Sequence, residues 1–312
     1  GGIARALIGA ERLHDGIAIL HPRGSGTLSL LVKDLGTTFS SESGFQNLIE
    51  DLGLQYRYTW TAEVEAGSLR KGEFKALILP YAQILTDKEV AEIRAFVAAG
   101  GLLIADLRPG THDVRGRPLA NGALDDLFGV HTTGAEVAPV RGALTWTRDL
   151  AGADLGRPVT AAGMRGDGAV RLAGGKACAT VGEAPALIVH ASGKGRTLFL
   201  NHAVTGYDNL RNRGEDALLR PAWRELLAAC GIAARFAAVR PDGTAIPGVE
   251  MAVFRDGPID YLTVEKHAYE CETYPVGGAI RLDKAVEVYD VRKGKRLGRA
   301  EAIPVSLNGL SC

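Results

Sequence analysis

The sequence predicts an α/β protein in which an open, mainly parallel sheet with flanking helices precedes a small antiparallel β-sandwich. Unbroken apolar runs such as Ala76–Leu79 and Leu102–Ala105 are typical of parallel strands that helices cover on both faces. The segment between these two runs has the periodicity of an amphipathic helix. After Val239, turn clusters separate short strand-like runs without helical periodicity, which favours an antiparallel domain.

This pattern divides the chain into a lead-in segment over residues 1–15, an α/β domain over 16–236 and a β-sandwich domain over 237–312. The lead-in has weak helical periodicity. The chain opens with Gly1-Gly2, without a methionine or an apolar signal sequence, which suggests a fragment or a processed chain.

The composition is that of an ordinary globular protein. The 36 Lys and Arg residues balance 36 Asp and Glu residues, so no net field favours nucleic acid or an anionic membrane. No apolar run approaches the length of about 18 residues that a membrane-spanning helix needs. We therefore expect neither a nucleic-acid nor a membrane partner. A cytoplasmic location is favoured, although the sequence leaves the compartment open.

The α/β domain begins with a short buried strand at Gly16–Leu20, which the glycine-rich segment His21–Gly26 follows. This segment lacks the full G-x-G-x-x-G pattern, with Ser29 in place of the last glycine. We therefore favour a flexible or carbohydrate-facing loop over a phosphate-binding loop. Next come a helical face over Phe45–Leu52 and an alternating strand over Leu54–Trp60, whose aromatic residues favour core packing over sugar stacking.

The clearest unit is the strand–helix–strand segment Lys75–Gly110. Thr86 is a good N-cap and Glu89 completes a capping box, while Gly100 ends the helix. A right-handed crossover places the carboxyl ends of its two strands on one edge of the sheet, where open α/β folds bind ligands. The candidate site therefore lies at this edge.

The residues after this unit are less regular. Thr111–Asp149 is polar and predicts an excursion off the sheet edge, with one helical turn at Leu124–Phe128. Ala186–His190 and Arg196–Asn201 predict a hairpin that extends the sheet, and a helix around Trp223 closes the domain.

The sequence of the last domain predicts six or seven short strands. The basic run Arg292–Arg296 is expected to form a hairpin turn. The four cysteines are far apart and form no C-x-x-C pair, so neither a zinc site nor a disulfide framework is predicted. The cysteines are Cys178, Cys230, Cys271 and Cys312.

The strand–helix–strand unit resembles the class I glutamine amidotransferase-like fold. In that fold a cysteine nucleophile stands on the turn after the strand that matches Leu102–Ala105. Here Asp106 or its neighbour occupies the position, and none of the seven histidines begins a His-x-Glu motif. The resemblance therefore implies the fold without its acyl-transfer chemistry.

A resemblance that covers nearly the whole chain is to the C-terminal half of family 42-type β-galactosidases. It rests on the segments Asp15–Gly26, Lys75–Val90, Phe96–Gly110 and Pro118–Val130. His21-Pro22 departs from the Tyr-Ser that the family often has at the first of these. The resemblance implies an amidotransferase-like domain that lacks a nucleophile, follows a catalytic barrel and builds a trimer, with a small β domain last.

Catalysis in that family belongs to two Glu residues on the barrel, one of them in an Asn-Glu dipeptide. This chain has no Asn-Glu dipeptide, and residues 16–235 already predict a different fold. We therefore expect a non-catalytic assembly portion of a β-galactosidase-like glycoside hydrolase, without catalytic residues, cofactor or metal. The expected partners are further copies of the chain, a catalytic barrel upstream or on another chain, and a carbohydrate.

Two alternatives remain open at this stage: a stand-alone carbohydrate-binding or structural protein, and a hydrolase with a diverged amidotransferase-like site. Polar residues near the predicted strand ends form the candidate pocket for either. They are His21, Ser25, Tyr81, Gln83, Asp106, Arg108, His112, Asp113 and His202. The sequence does not define a sugar specificity or an oligomer size.

Overall fold

The structure is a computed structural model that describes residues 7–32, 35–71, 73–135, 137–146, 149–150, 153–154, 159–204, 206–212, 214, 219–267 and 274–309. The helices are α1 (Arg23–Leu31), α2 (Thr38–Asp51), α3 (Thr61–Glu65), α4 (Asp87–Ala98), α5 (Asp125–Phe128), α6 (Gly206–Asn212) and α7 (Arg220–Ala228). A short 3-10 helix spans Ser68–Lys71.

The first strands are β1 (Glu11–Arg12), β2 (Ile17–His21), β3 (Tyr56–Trp60), β4 (Ala76–Leu79), β5 (Leu102–Asp106), β6 (Val130–His131), β7 (Pro139–Trp146), β8 (Asp149–Leu150), β9 (Ala153–Asp154) and β10 (Val159–Asp167). The later strands are β11 (Arg171–Leu172), β12 (Lys176–Val181), β13 (Ala184–Ser192), β14 (Gly195–Leu200), β15 (Phe236–Val239), β16 (Val249–Asp256), β17 (Ile259–Lys266), β18 (Val276–Asp290) and β19 (Lys295–Leu307).

A nine-stranded mixed sheet organises the larger part of the chain, in the order β10-β7-β12-β13-β14-β5-β4-β2-β3. The pairs from β14 to β3 are parallel. The pairs from β10 to β14 are antiparallel. The sheet is thus half antiparallel, and the expectation of a mainly parallel sheet was wrong for this half.

Helices cover both faces of the parallel strands, as the unbroken apolar runs predicted. On β2, Ile17 packs into one core cluster with Phe45 and Trp223, whereas its neighbour Ala18 packs into a second cluster with Phe96. Successive residues of a strand point to opposite faces, so a strand buried on both faces is apolar at every position.

The predicted capping box at the start of α4 is present. Thr86 Oγ1 accepts a hydrogen bond from the backbone N–H of Glu89 at 3.1 Å, and Glu89 Oε2 accepts one from the N–H of Thr86 at 2.8 Å. Gly100 follows the helix with a φ of 118°, a conformation that disfavours a side chain. Local chemistry therefore sets both ends of α4, as the sequence predicted.

The glycine-rich segment after β2 forms helix α1, so the expectation of a loop over His21–Gly26 was wrong. A Cβ added at Gly24 would lie 3.5 Å from Ile84, and one added at Gly26 would lie 3.2 Å from Phe39. The glycines allow α1 to pack closely against these neighbours, which offsets their low helix propensity.

The segment Thr111–Asp149 is only partly an excursion, because its second half forms strand β7 inside the large sheet. Trp146, at the end of β7, is buried in the core. In the lead-in, strand β1 pairs with β16. Residues 1–6 lie outside the described part of the chain.

The C-terminal part contains two three-stranded antiparallel sheets, β1-β16-β17 and β15-β18-β19. They share a core in which Val249 and Met251 of one sheet pack with Val276 and Ile280 of the other. Two runs that the sequence separates, Ala279–Leu282 and Val286–Val291, lie largely on the single long strand β18. None of the described helices combines the length and apolar character needed to cross a membrane.

Candidate functional site

Asp106 lies at the carboxyl end of β5, at the centre of the predicted edge. Its Oδ2 accepts hydrogen bonds from Ser41 Oγ at 2.6 Å and from the N–H of Val204 at 3.3 Å. Its Oδ1 accepts one from the N–H of Tyr81 at 2.6 Å. The side chain is fully buried, and burial raises the pKa of Asp106 to about 6. This carboxyl group ties helix α2 to the ends of β4 and β14.

Two sharp turns surround Asp106. Tyr81, Leu107 and Arg108 have φ values of 41°, 29° and 55°, which are unusual for residues with side chains. Thr38 Oγ1 donates to the carbonyl of Tyr81 at 3.2 Å. The Arg108 guanidinium donates to the carbonyl oxygens at positions 133 and 135, at 3.1 and 2.8 Å. Arg108 therefore holds the following loop instead of facing an open pocket.

His21 forms a separate polar pair at the end of β2. Its Nδ1 lies 2.8 Å from Glu42 Oε1, and its ring packs edge-on against Trp60 with 4.7 Å between centroids. Tyr56 is buried, as expected for core aromatics, but Trp60 is 47% exposed and Phe39 is 48% exposed. The end of β2 is thus bordered by exposed aromatic rings.

Of the remaining polar candidates, Ser25, Gln83 and His112 take part in hydrogen bonds between segments, whereas Asp113 does not reach the edge. Ser25 Oγ donates to the carbonyl of Ile84 at 3.2 Å and accepts from its N–H at 2.9 Å. The carbonyl of Gln83 accepts from the N–H of His112 at 2.9 Å, and both side chains are buried. Asp113 lies in a surface turn, where it accepts hydrogen bonds from the N–H groups of Arg115 and Arg117 at 2.9 Å. Asp113 therefore does not join the edge around Asp106.

His202 lies just beyond β14 and is 6% exposed. Within the described residues, neither of its ring nitrogens has a hydrogen-bond partner. Burial lowers the pKa of His202 to about 4, because the charged imidazolium would be cut off from water.

The hydrogen bonds at this edge hold neighbouring elements of the fold together. Among the described residues, the Ser41 hydroxyl and the N–H groups of Tyr81 and Val204 donate to Asp106, so its carboxylate connects three elements of the fold. The described cysteines, Cys178 and Cys230, lie on β12 and beyond α7. Cys271 and Cys312 lie outside the described residues. The edge therefore shows no thiol for acyl transfer in the part of the chain that the structure describes.

The comparison with protein families places this fold. The family model described as the beta-galactosidase trimerisation domain matches residues 66–226, more than half of the chain. The chain belongs to this family. The match includes α4, both turns around Asp106 and the antiparallel half of the large sheet. A comparison with curated proteins gave no match.

Solved structures resemble this trimerisation-domain chain over nearly its full length. The beta-galactosidase from Bacillus circulans sp. alkalophilus has a TM-score of 0.70 at 15% identity, covering 96% of this chain and 41% of its own. The one from Rahnella sp. R3 has a TM-score of 0.67 at 16% identity, covering 96% and 40%. For Gan42B, a GH42 beta-galactosidase from G. stearothermophilus, in a catalytic mutant, the values are 0.65, 14%, 94% and 39%.

At these identities the likeness concerns the fold. The chain spans between 39% and 41% of the length of these structures. The family match and the partial coverage agree with a non-catalytic portion of a longer enzyme, and they favour neither of the two alternatives from the sequence.

The sequence did not identify Ser41 as the partner of Asp106 or Glu42 as the partner of His21. Both partners lie on α2. Ser41 and Glu42 precede Phe45 by four and three residues, so they share its buried side of the helix. A polar residue on the apolar face of a predicted helix was the signal that could have identified them. A second missed group, Glu50, Glu250 and His267, joins residues far apart in the chain.

We expect His202→Leu to flatten the acid loss of stability. Because the folded state favours neutral His202, wild-type stability falls as pH drops from about 6.5 to about 4. The lowered pKa of His202 corresponds to a loss of about 3 kcal/mol of unfolding free energy in acid. The leucine variant should not show this loss. At neutral pH the variant should be as stable as the wild type or more so, since two unpaired buried nitrogens are removed. Urea unfolding at a series of pH values measures this.

His131→Leu is the matched control, because His131 is exposed on β6. It should retain the wild-type dependence on pH. Equal acid sensitivity of the wild type and His202→Leu would contradict a buried neutral imidazole at this position.

Proposed function

We propose that the chain is the non-catalytic assembly portion of a β-galactosidase-like glycoside hydrolase and that it holds three copies of the parent enzyme together. The observation that carries this proposal is the match of residues 66–226 to the beta-galactosidase trimerisation domain. The solved relatives are more than twice as long as this chain, which leaves room in a parent protein for a catalytic barrel. Symmetric self-association is the usual use of such a domain.

We also propose that residues 16–236 are an amidotransferase-like domain that has lost its chemistry, and that residues 237–312 form the separate β-sandwich domain. The turn after β5 supports this, because Leu107 and Arg108 both have positive φ there. A sharp turn after a strand is how related α/β folds expose a nucleophile. Here the side chain of Leu107 is apolar and buried, so the turn presents nothing that attacks a carbonyl group.

For self-association we propose the apolar rim, which we define as Leu30, Leu31, Val32, Phe39 and Trp60. Leu30, Leu31 and Val32 lie at the end of α1, Phe39 lies at the start of α2 and Trp60 ends β3. All five side chains are exposed, Leu31 to 76%. Grouped exposed apolar side chains are typical of protein-binding surfaces. Membership of a trimerisation family favours a second copy of the chain as the occupant.

The test is the mass of the purified chain by light scattering over a tenfold range of concentration. We expect three times the chain mass of 32.9 kDa. Leu31→Asp should weaken association by about tenfold or more, because a buried unpaired charge costs more than 1.4 kcal/mol. Leu172→Asp, at a leucine that is 46% exposed on β11, is the matched control and should leave the mass unchanged.

The same samples should hydrolyse no chromogenic β-galactoside, because glycoside hydrolysis needs two suitably spaced, accessible carboxyl groups. A monomer at every concentration would overturn the assembly role. Trimers that Leu172→Asp disrupts and Leu31→Asp does not would place the interface elsewhere. Turnover that a carboxylate variant abolishes would overturn the non-catalytic role.

A further inference from the structure

Three side chains meet where helix α2 contacts the C-terminal sheets. They are Glu50 at the end of α2, Glu250 on β16 and His267 just after β17. One ligand atom from each lies within 4.8 Å of the others. His267 Nε2 and Glu250 Oε2 are 4.0 Å apart, which is too long for a hydrogen bond. The three groups therefore surround a common point without bonding to one another.

Glu50 is only half satisfied by the protein. Its Oε1 accepts hydrogen bonds from Gln46 Nε2 and from Tyr56 Oη, both at 3.0 Å. Its Oε2 is buried and has no hydrogen-bond partner among the described residues, and the same holds for Nε2 of His267. Glu50 as a whole is 4% exposed. Two buried, unpaired ligand atoms in one cluster indicate that a further group completes it.

The electrostatics of the cluster favour a cation. Glu50 and Glu250 each bring a carboxylate oxygen into the cluster, and a buried carboxylate without a compensating charge is unfavourable. The guanidinium of Arg211 makes an ion pair with Asp51 at 3.4 Å. A divalent cation would compensate both carboxylates and would leave the imidazole neutral.

The backbone around the cluster is held in place by other contacts. Asp51 Oδ1 accepts a hydrogen bond from the N–H of Gly248 at 2.6 Å, which fastens the end of α2 to the start of β16. The carbonyl of Gly248 in turn accepts from the N–H of His267 at 2.8 Å. The elements that carry the three side chains are thus fixed relative to one another before any ion binds.

We propose that Glu50, Glu250 and His267 form a binding site for a divalent transition metal, with zinc as its preferred ion. Zinc binds imidazole nitrogen and carboxylate oxygen at about 2.0–2.2 Å in tetrahedral sites, which places ligand atoms about 3.5 Å apart. The side chains need to close by about 1 Å to reach this geometry, and a water molecule takes the fourth position. Magnesium and calcium prefer sites with oxygen ligands only.

Such an ion would link the α/β part of the chain to the C-terminal β part. Two ligands lie on β16 and beyond β17, whereas the third lies on α2. Since binding requires the folded arrangement of both parts, the metal would stabilise their contact. This inference does not depend on the assembly role.

A ligand atom of Glu50 lies within 4.8 Å of one of Glu250, and retaining glycosidases also hold two catalytic carboxyl groups close together, about 5–5.5 Å apart. Glu50 cannot be a catalytic carboxylate of this kind, because a carboxyl group that is 4% exposed cannot contact a sugar. An ion that enters through the exposed side of His267 and Glu250 requires far less space.

The test is calorimetric titration of the untagged, chelator-treated full chain with zinc chloride, followed by thermal unfolding with and without zinc. We expect one equivalent to bind and the melting temperature to rise, whereas magnesium chloride causes no rise. His267→Gln and Glu250→Gln should each weaken zinc binding by at least tenfold. His131→Gln and Glu225→Gln, at exposed positions outside the cluster, should bind as the wild type does.

Two outcomes would overturn the proposal. One is the absence of saturable zinc binding to the folded wild-type chain. The other is an unchanged affinity in both His267→Gln and Glu250→Gln, which would show that zinc binds elsewhere. Circular dichroism of each variant confirms that it is folded before titration. Because Glu250 and His267 are partly exposed, their amide replacements should not prevent folding.

Discussion

Gly53→Ala is expected to lower the free energy of unfolding by about 3 kcal/mol or more, since two penalties add at this position. Gly53 has a φ of 75°, which strains a residue with a Cβ. A Cβ built there would also overlap the carbonyl oxygen of Phe236, at the start of the C-terminal part. The overlap is removed only if the backbone of β15 moves away from the end of α2.

Gly231→Ala is the matched control. Gly231 has nearly the same φ, 73°, but an added Cβ would meet nothing within 4 Å. It should therefore lose only the conformational part, about 1–2 kcal/mol. Denaturant unfolding of both variants measures the difference, and equal losses would contradict a close approach of β15 to Gly53.

Asp106→Ala is expected to cost about 3–5 kcal/mol of unfolding free energy, because it leaves three buried donors without their acceptor. The donors are the Ser41 hydroxyl and the N–H groups of Tyr81 and Val204. Asp106→Asn should fall between the wild type and Asp106→Ala. Its amide keeps one acceptor oxygen but turns an N–H₂ group towards the remaining donors.

Asp113→Ala serves as the comparison, because Asp113 also accepts several hydrogen bonds but does so in a surface turn. It should lose much less stability than Asp106→Ala does, since water replaces the carboxylate for the exposed donors. Calorimetry of both variants gives the comparison. If Asp113→Ala were as damaging as Asp106→Ala, the structural assignment of the two carboxylates would be wrong.

Local signals in the sequence predicted the best-defined elements. Helix α4 was predicted from a capping box and a terminal glycine that act within single turns. The hairpin of β13 and β14 was predicted from two apolar runs and the short turn between them. These elements agree with the structure because their determinants lie a few residues apart.

Other elements depended on distant contacts. Composition predicted a loop over His21–Gly26, yet Arg23–Gly26 belong to α1, where the two glycines pack closely against Ile84 and Phe39. Strands β7, β10 and β12 lack continuous apolar runs, and their strand conformation depends on hydrogen bonds to one another. Pairing between distant segments is invisible to a pattern read along the chain.

The parallel pairing of β4 and β5 brings their carboxyl ends to one edge of the sheet, as a crossover connection predicts. That this edge binds a ligand stays a prediction. Hydrogen bonds link Tyr81 directly to Asp106, whereas Asp113 lies in a surface turn. The sequence placed Asp106 after a buried strand and Asp113 in a polar segment, but the partners of Asp106 depend on the packing of α2 and on the end of β14.

By itself the sequence determined the α/β class with a following β part, the ends of α4, the family resemblance and the shared edge of β4 and β5. These depend on side-chain periodicity, capping and turn chemistry, which act over a few residues. Only the tertiary structure decided that the sheet is mixed, that Asp106 is a buried tie and that Glu50, Glu250 and His267 meet. Each of these depends on packing between segments that are far apart in the chain, more than 200 residues for Glu50 and His267. Such segments exclude water from one another only in the folded structure.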